Sequence, residues 1–203
     1  IRQLIPGNKL QFIAQEALAS LEGFVPLLQS NLKGLIIRQL LGTYEIDLIL
    51  DNIHNLEEFQ IETSEFSDYN WRTLFRNGKK IKKFKFEIYT DEIWPQLEKL
   101  QSLNSLIVHL GTPMPNTEWF ADMLENIGSR LVELKFSYMD NDTYRFPEEM
   151  QVSNILHKCP NLRKLFFENA LPDDVLTHDL NLSSLMPLTS FVVMRAFGTL
   201  EDF

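Results

Sequence analysis

The sequence lacks most of the features that mark secreted, membrane-spanning or metal-dependent chains. It contains one cysteine, Cys159, in 203 residues, so it can form no internal disulfide and no zinc site of several thiolates. Its apolar runs extend for only a few residues and no leader peptide is recognisable, so we expect neither a membrane span nor a signal peptide. Glycine is scarce, with 8 residues, and no Gly-Lys-Ser/Thr phosphate loop occurs. The single cysteine favours a reducing compartment, so we expect a cytoplasmic or nuclear protein.

Positive charge is also in deficit. The chain has 19 lysines and arginines against 28 acidic residues, a formal net charge of −9. This balance opposes bulk attraction to nucleic acid or to an anionic membrane, so we expect neither as a partner. Apolar residues make up 44% of the chain and charged residues 23%, which predicts a folded globular protein.

A short motif, Leu-x-x-Leu-x-apolar, recurs along the chain. Successive copies begin 22 to 31 residues apart, about 26 on average, and a weaker eighth copy is expected at Leu10–Ile13. Repetition at this period is typical of solenoid proteins, in which each unit is stable only against its neighbours. The seven clear copies begin at Leu32, Leu56, Ile81, Leu103, Leu131, Leu162 and Leu188.

The spacing within the motif predicts a short strand. Because side chains alternate along a strand, the fourth and sixth positions face the core and the third, fifth and seventh face outward. Apolar residues at steps of three and four predict helices between the strands, at 44–54, 68–75, 116–127, 148–157 and 173–185. We therefore predict one α/β solenoid domain over 1–203, with a parallel inner sheet and outer helices. We expect residues 32–203 to form seven repeats and residues 1–31 to form a cap or a degenerate repeat.

One join between repeats resembles a known family. The run Cys159-Pro160-Asn161-Leu162-Arg163-Lys164-Leu165 resembles the repeat signature of F-box leucine-rich-repeat proteins and ribonuclease-inhibitor-like arrays, and 54–59 is a looser copy. The resemblance covers roughly residues 32–193, although the repeat lengths scatter and no asparagine recurs after each strand. It implies a horseshoe-shaped leucine-rich-repeat array that binds other proteins.

The resemblance favours substrate recognition in an F-box-type ubiquitin ligase. Since the chain begins at Ile1 rather than Met, we expect a fragment of a longer protein, whose missing F-box would bind a cullin-ligase adaptor. Two alternatives stay open: the ligand-sensing array of an immune receptor, and a non-catalytic scaffold or regulator. Fold-level likeness alone does not distinguish the three.

The residues that usually carry chemistry do not converge in the sequence. The four histidines, at 54, 109, 157 and 178, include no pair three or four apart, and no Gly-x-Ser-x-Gly elbow occurs. Asp140-Asn141-Asp142 lacks the central glycine and the final acid of a calcium loop, so a solvated loop is the better interpretation. We therefore predict no catalytic residue, no cofactor and no metal.

The run from Lys79 to Lys85 concentrates positive charge. It reads Lys-Lys-Ile-Lys-Lys-Phe-Lys, and two interpretations stay open. The lysines could bind an acidic partner, a phosphate or a nucleic acid. The run could instead be the solvated edge of a strand whose core residues are Ile81 and Phe84.

The outward positions of the motif predict the binding surface. Phe166, Val192 and Met194 should cluster near its C-terminal end, and apolar residues that face outward together indicate a protein contact. The alternative is that later repeats or the end of the chain cover them. The predicted protein-binding residues are Lys83, Lys85, Ile107, His109, Lys135, Lys164, Phe166, Val192 and Met194.

Overall fold

The protein is an α/β protein, as predicted. The computed structural model describes residues 2–5, 9–13, 26, 32–38, 43–62, 66–88, 91–110, 117–138, 150–168, 176, 185 and 187–194. It divides into two compact units, one of residues 1–87 and 96–103 and the other of residues 88–95 and 104–203. The helices in this described part of the chain include none that is both long and apolar enough to cross a membrane.

The first unit contains a sheet that opens with a hairpin. Strand β1 (Arg2–Ile5) pairs antiparallel with β2 (Lys9–Ile13). From there every pairing is parallel, through β3 (Gly34–Arg38), β4 (Glu58–Glu62) and β5 (Lys83–Ile88). Equivalent motif positions lie side by side: Leu35 pairs with Phe59, and Phe59 pairs with Phe84. Residues 1–31 thus begin with an antiparallel edge and a first parallel strand.

Two helices cover the core side of this sheet. Helix α1 runs over Thr43–Leu50, and helix α2 runs over Asp68–Asn77. Ser67 caps α2: its hydroxyl accepts from the backbone of Asn70, whose side chain accepts in return from the Ser67 backbone. The buried Asn70 amide also donates to Asp47 of α1 over 2.8 Å, so its polar group is satisfied. The helices are therefore held together by hydrogen bonds as well as by apolar packing.

The second unit repeats the parallel arrangement. Its strands are β6 (Ser105–Leu110), β7 (Glu133–Tyr138), β8 (Lys164–Glu168) and β9 (Ser190–Met194), paired in register in that order. Helix α3 (Thr117–Ile127) buries Phe120, Met123, Leu124 and Ile127 at steps of three and four. A 3-10 turn (Gly128–Arg130) follows α3, and helix α4 spans Val152–Lys158. A line of aromatic rings fills the core, with Phe136 centred 5.6 Å from Phe120 and 5.7 Å from Phe167.

The motif has the same backbone form in copy after copy. The N–H of its first residue donates to the carbonyl three residues earlier in six copies, at Leu56, Ile81, Leu103, Leu131, Leu162 and Leu188. In the first six copies the first, fourth and sixth residues are all buried. In the seventh, Leu188, Phe191 and Val193 are only half-buried. The predicted core positions are therefore confirmed for the first six copies, whereas the predicted outward positions include three buried residues, Gly34, Ser105 and Ser137.

Some predictions need correction. Leu10 pairs with Leu35, so it occupies the fourth motif position, and the weaker copy expected at Leu10–Ile13 was placed three residues out of register. The first helix ends at Leu50 rather than at residue 54, and the second ends at Asn77 rather than at residue 75. A 3-10 helix at Asp91–Lys99, which contains Pro95, was not predicted. The loop at 140–147 lies outside the described residues, as does the helix predicted at 173–185 apart from Leu176 and Leu185.

Candidate functional site

The strand registers place the outward residues in rows, as predicted from the motif. In the first unit Glu58 lies beside Lys83, and Gln60 lies beside Lys85. In the second unit the third-position row is Ser105, Glu133, Lys164 and Ser190, the fifth-position row is Ile107, Lys135, Phe166 and Val192, and the seventh-position row is His109, Ser137, Glu168 and Met194. The nine predicted residues are therefore divided, with Lys83 and Lys85 in the first unit and the others in the second.

The fifth-position row of the second unit combines apolar and cationic side chains. We call Ile107, Lys135, Phe166 and Val192, together with the neighbouring Lys164, the Phe166 surface. Phe166 and Val192 are direct partners in the ladder, so they lie about 4.8 Å apart in the backbone. Both are half-buried, as is Ile107. An aromatic ring next to a branched aliphatic side chain, both facing away from the core, forms a continuous apolar strip.

The two lysines of the Phe166 surface differ in their pairing. Lys135 makes a 2.5 Å ion pair with Glu168, and both side chains are about one-quarter to one-third exposed. Lys164 is exposed and makes no ion pair with any carboxylate of the described residues. The charge of Lys135 is thus already compensated within the chain. Lys164 is the cation beside Phe166 that is available to another molecule.

Two side-chain contacts across the outward face were not predicted. Ser105 donates to Glu133 over 2.7 Å, and the hydroxyl of Ser137 lies within hydrogen-bond distance of Nδ1 of His109. A serine beside a histidine is one part of a nucleophilic site, which also needs an oriented base and oxyanion donors. Ser137 is only 5% exposed, so its hydroxyl is poorly accessible to a substrate. The contact links β6 to β7. The sequence indicated it only by placing Ser137 beside His109 in the predicted seventh-position row.

Metal chemistry finds no support in the described residues. They contain no group of three or more histidine, cysteine or acidic residues that could hold a metal ion. Cys159 is buried at the C-terminal end of α4, and burial raises the pKa of its thiol to about 12. A thiol with so high a pKa is a poor nucleophile and a poor ligand at neutral pH. His178 and Asp140–Asp142 lie outside the described residues.

The lysines of residues 79–85 form a second charged region, in the first unit. We call Lys79, Lys80, Lys82, Lys83 and Lys85 the lysine edge, because they lie on the turn that precedes β5 and along β5. The core residues between them, Ile81 and Phe84, are fully buried. The strand interpretation of this run is therefore confirmed, and a binding role for its lysines stays a prediction.

Carboxylates on β4 and just before it partly compensate the charge of the lysine edge. Lys82 pairs with Glu57 over 2.7 Å, and Lys85 pairs with Glu62 over 3.0 Å. Glu57 also accepts from Lys33 over 2.6 Å. The hydrogen bonds from Lys33 and then from Lys82 lower the pKa of Glu57 to about 2, since both favour the ionised carboxylate.

No protein-family model matches the chain, and no curated protein matches it. Its function is therefore inferred from the chemistry of the two outward surfaces just described.

Proposed function

We propose that this chain is a leucine-rich-repeat module that recognises another protein through the Phe166 surface. The observation that carries the proposal is the pair Phe166 and Val192, which face away from the core on neighbouring strands beside the exposed Lys164. A solenoid needs apolar residues at its core positions, not at its outward ones. An outward apolar strip with a free cation at its border is typical of a protein-binding hot spot.

The surroundings of the strip suit such a contact. The ion pair between Lys135 and Glu168 and the bond between Ser105 and Glu133 give it a polar rim with satisfied groups. Interfaces commonly combine an apolar centre with a polar, solvent-accessible rim. The partner that fits has an apolar side chain for Phe166 and Val192 and a carboxylate for Lys164.

The join at Cys159–Leu162 supports the repeat interpretation. Cys159 and Leu162 are buried, and the side chain of Asn161 donates to the carbonyl of Ser129 over 2.6 Å. The asparagine thus ties one repeat to the backbone of the repeat before it, which suits a stacked array. The equivalent Asn55 accepts a bond from Lys80 of the following repeat over 2.8 Å.

The more specific form of the proposal is substrate recognition in an F-box-type ubiquitin ligase. It rests on the resemblance of the Cys159–Leu165 run alone. Purification of the complete protein from its native cells, followed by mass spectrometry, tests it. A cullin-ligase adaptor in near-stoichiometric amount supports it. A different single stable partner contradicts it and favours an immune sensor, a scaffold or a regulator.

The binding surface is tested by truncating its apolar strip. The partner recovered from native cells is purified, and its dissociation constant is measured against the wild-type chain and against the variants Phe166→Ala, Val192→Ala and Lys164→Gln. Truncation of a hot-spot residue costs about 2 kcal/mol or more, which weakens binding roughly 30-fold. We expect a loss of that size for Phe166→Ala, and a smaller loss for Lys164→Gln.

A matched control comes from the same unit. Val132 is apolar and 41% exposed but lies at the second motif position, outside the Phe166 surface. Val132→Ala should leave the dissociation constant within about twofold of the wild-type value, because exposed contacts outside a hot spot contribute little. Unchanged binding by a folded Phe166→Ala variant would contradict the proposed surface.

A further inference from the structure

The lysine edge carries more positive charge than its neighbours compensate. It holds five of the chain's 19 lysines and arginines within seven consecutive residues. Two of the five, Lys82 and Lys85, pair with carboxylates. Lys80 donates to the neutral amide of Asn55 over 2.8 Å, which leaves its charge uncompensated.

The remaining two lysines make no ion pair with a carboxylate of the described residues. Lys79 is exposed on the turn, and Lys83 is half-buried beside Glu58 in the ladder without pairing with it. The carboxylate of Glu57 is already shared between Lys33 and Lys82. Lys79, Lys80 and Lys83 are therefore three cations with room for an external anion.

We propose that the lysine edge binds an extended acidic segment of a partner protein, whose carboxylates pair with Lys79, Lys80 and Lys83. Lys83 begins β5, and Lys79 and Lys80 lie on the turn just before it, so the three free lysines fall within five consecutive residues. An extended peptide with acidic residues at alternate positions presents a carboxylate about every 6.6 Å on one face. An acidic peptide can therefore set carboxylates against the free lysines.

The charges around the edge favour a peptide over nucleic acid. Three carboxylates lie next to the lysines. Glu58 and Glu62 are on the neighbouring strand β4, and Glu57 directly precedes that strand. Duplex DNA carries about one negative charge per 1.7 Å of its axis, so its phosphates could not avoid these carboxylates. A peptide can place uncharged side chains opposite them. The acidic balance of the whole chain opposes nucleic acid further.

The test is fluorescence anisotropy with a labelled dodecapeptide of alternating glutamate and serine. The triple variant Lys79→Gln, Lys80→Gln, Lys83→Gln removes the three uncompensated charges. Exposed ion pairs contribute about 0.2–1 kcal/mol each, so the triple variant should bind roughly three- to a hundredfold more weakly. Binding by the wild-type chain should also weaken as salt rises from about 20 to 200 mM, because exposed charges are screened.

A control of equal charge comes from the same unit. Arg72, Arg76 and Lys99 are exposed and lie outside the lysine edge. Changing all three to glutamine should alter binding less than about twofold, since the charges removed, including that of Arg76 paired with Asp51, lie outside the lysine edge. The single variant Lys79→Gln removes no hydrogen bond of the described residues and should weaken peptide binding less than the triple variant does. It tests the proposal even if the triple variant fails to fold.

Three outcomes would overturn the proposal. They are no saturable binding of the peptide, an equal loss in the control variant, and tighter lysine-dependent binding of a 12-nucleotide single strand or of phosphatidylserine vesicles. The proposal does not depend on the Phe166 surface, which lies in the other unit and is unchanged in every variant. Failure of one proposal therefore leaves the other intact.

Discussion

The packing of the first unit predicts that Phe84 is a main source of its stability. Its ring is fully buried, and its centroid lies 4.8 Å from that of Phe86 and 6.0 Å from that of Phe59. It also meets two rings of α2, with centroid distances of 6.3 Å to Trp71 and 6.5 Å to Phe75. Phe84 thus joins two strands to the helix that covers them.

The expected cost of removing this ring is large. Truncation of a buried phenylalanine to alanine costs about 3–5 kcal/mol, because apolar contact is lost and a cavity remains. A domain is stable by only about 5–15 kcal/mol in total, so Phe84→Ala removes a large share. Phe84→Leu retains most of the volume, and we expect it to cost roughly 1–2 kcal/mol.

The assay is urea denaturation followed by far-UV circular dichroism and by tryptophan fluorescence. Two probes are needed because the chain forms two compact units, whose transitions need not coincide. Tyr69→Ala is the matched control, since Tyr69 lies on α2 but is 57% exposed, and it should change stability by less than about 0.5 kcal/mol. If Phe84→Ala cost no more than Tyr69→Ala, the ring would not occupy the core as described.

Two further predictions follow from local contacts. Because the pKa of Glu57 is lowered from 4.5 to about 2, its ionisation favours the folded state, and that contribution is present above about pH 4.5 and is lost as the pH falls through about 2. The urea midpoint of wild type should therefore exceed that of Glu57→Gln at neutral pH and converge with it toward pH 2, and a gap independent of pH would contradict this. A Cβ at Gly128 would lie 2.5 Å from the carbonyl oxygen of Lys158 and 3.0 Å from Sγ of Cys159. Gly128→Ala should therefore lower the free energy of unfolding by about 1–3 kcal/mol, and an effect no larger than that of the exposed control Ser129→Ala would refute the close packing.

The sequence predicted the strands well because the motif obeys two physical constraints at once. The fourth and sixth positions must be apolar to fill the core, and the turn before each copy fixes where the strand begins. The 3-10 helix at Asp91–Lys99 was missed, although Ile93, Leu97 and Leu100 follow helical steps and are buried. Pro95 within the segment opposes an α-helix, so the apolar spacing alone does not predict a helix there.

The outward rows were predictable, but the pairs within them were not. A strand's alternation decides which side chains face outward. Whether Lys135 meets Glu168, or Ser137 meets His109, depends on register between strands about 30 residues apart in sequence and on side-chain rotamers. Those pairings decide the electrostatics of the surface, because they leave Lys164 rather than Lys135 as the available cation.

The seventh copy of the motif, which contains β9, helps to judge whether residues that follow it in the chain could cover the Phe166 surface. On the core side of β9, Phe191 and Val193 are only half-buried, so this edge has room for further packing. A strand added there would pair with β9 in the plane of the sheet, about 4.8 Å away, and would extend the sheet sideways. It would not cover the outward face of β8, where Phe166 already has a neighbouring strand on each side. A further strand beside β9 would therefore leave Phe166 facing outward, as the proposed protein contact requires.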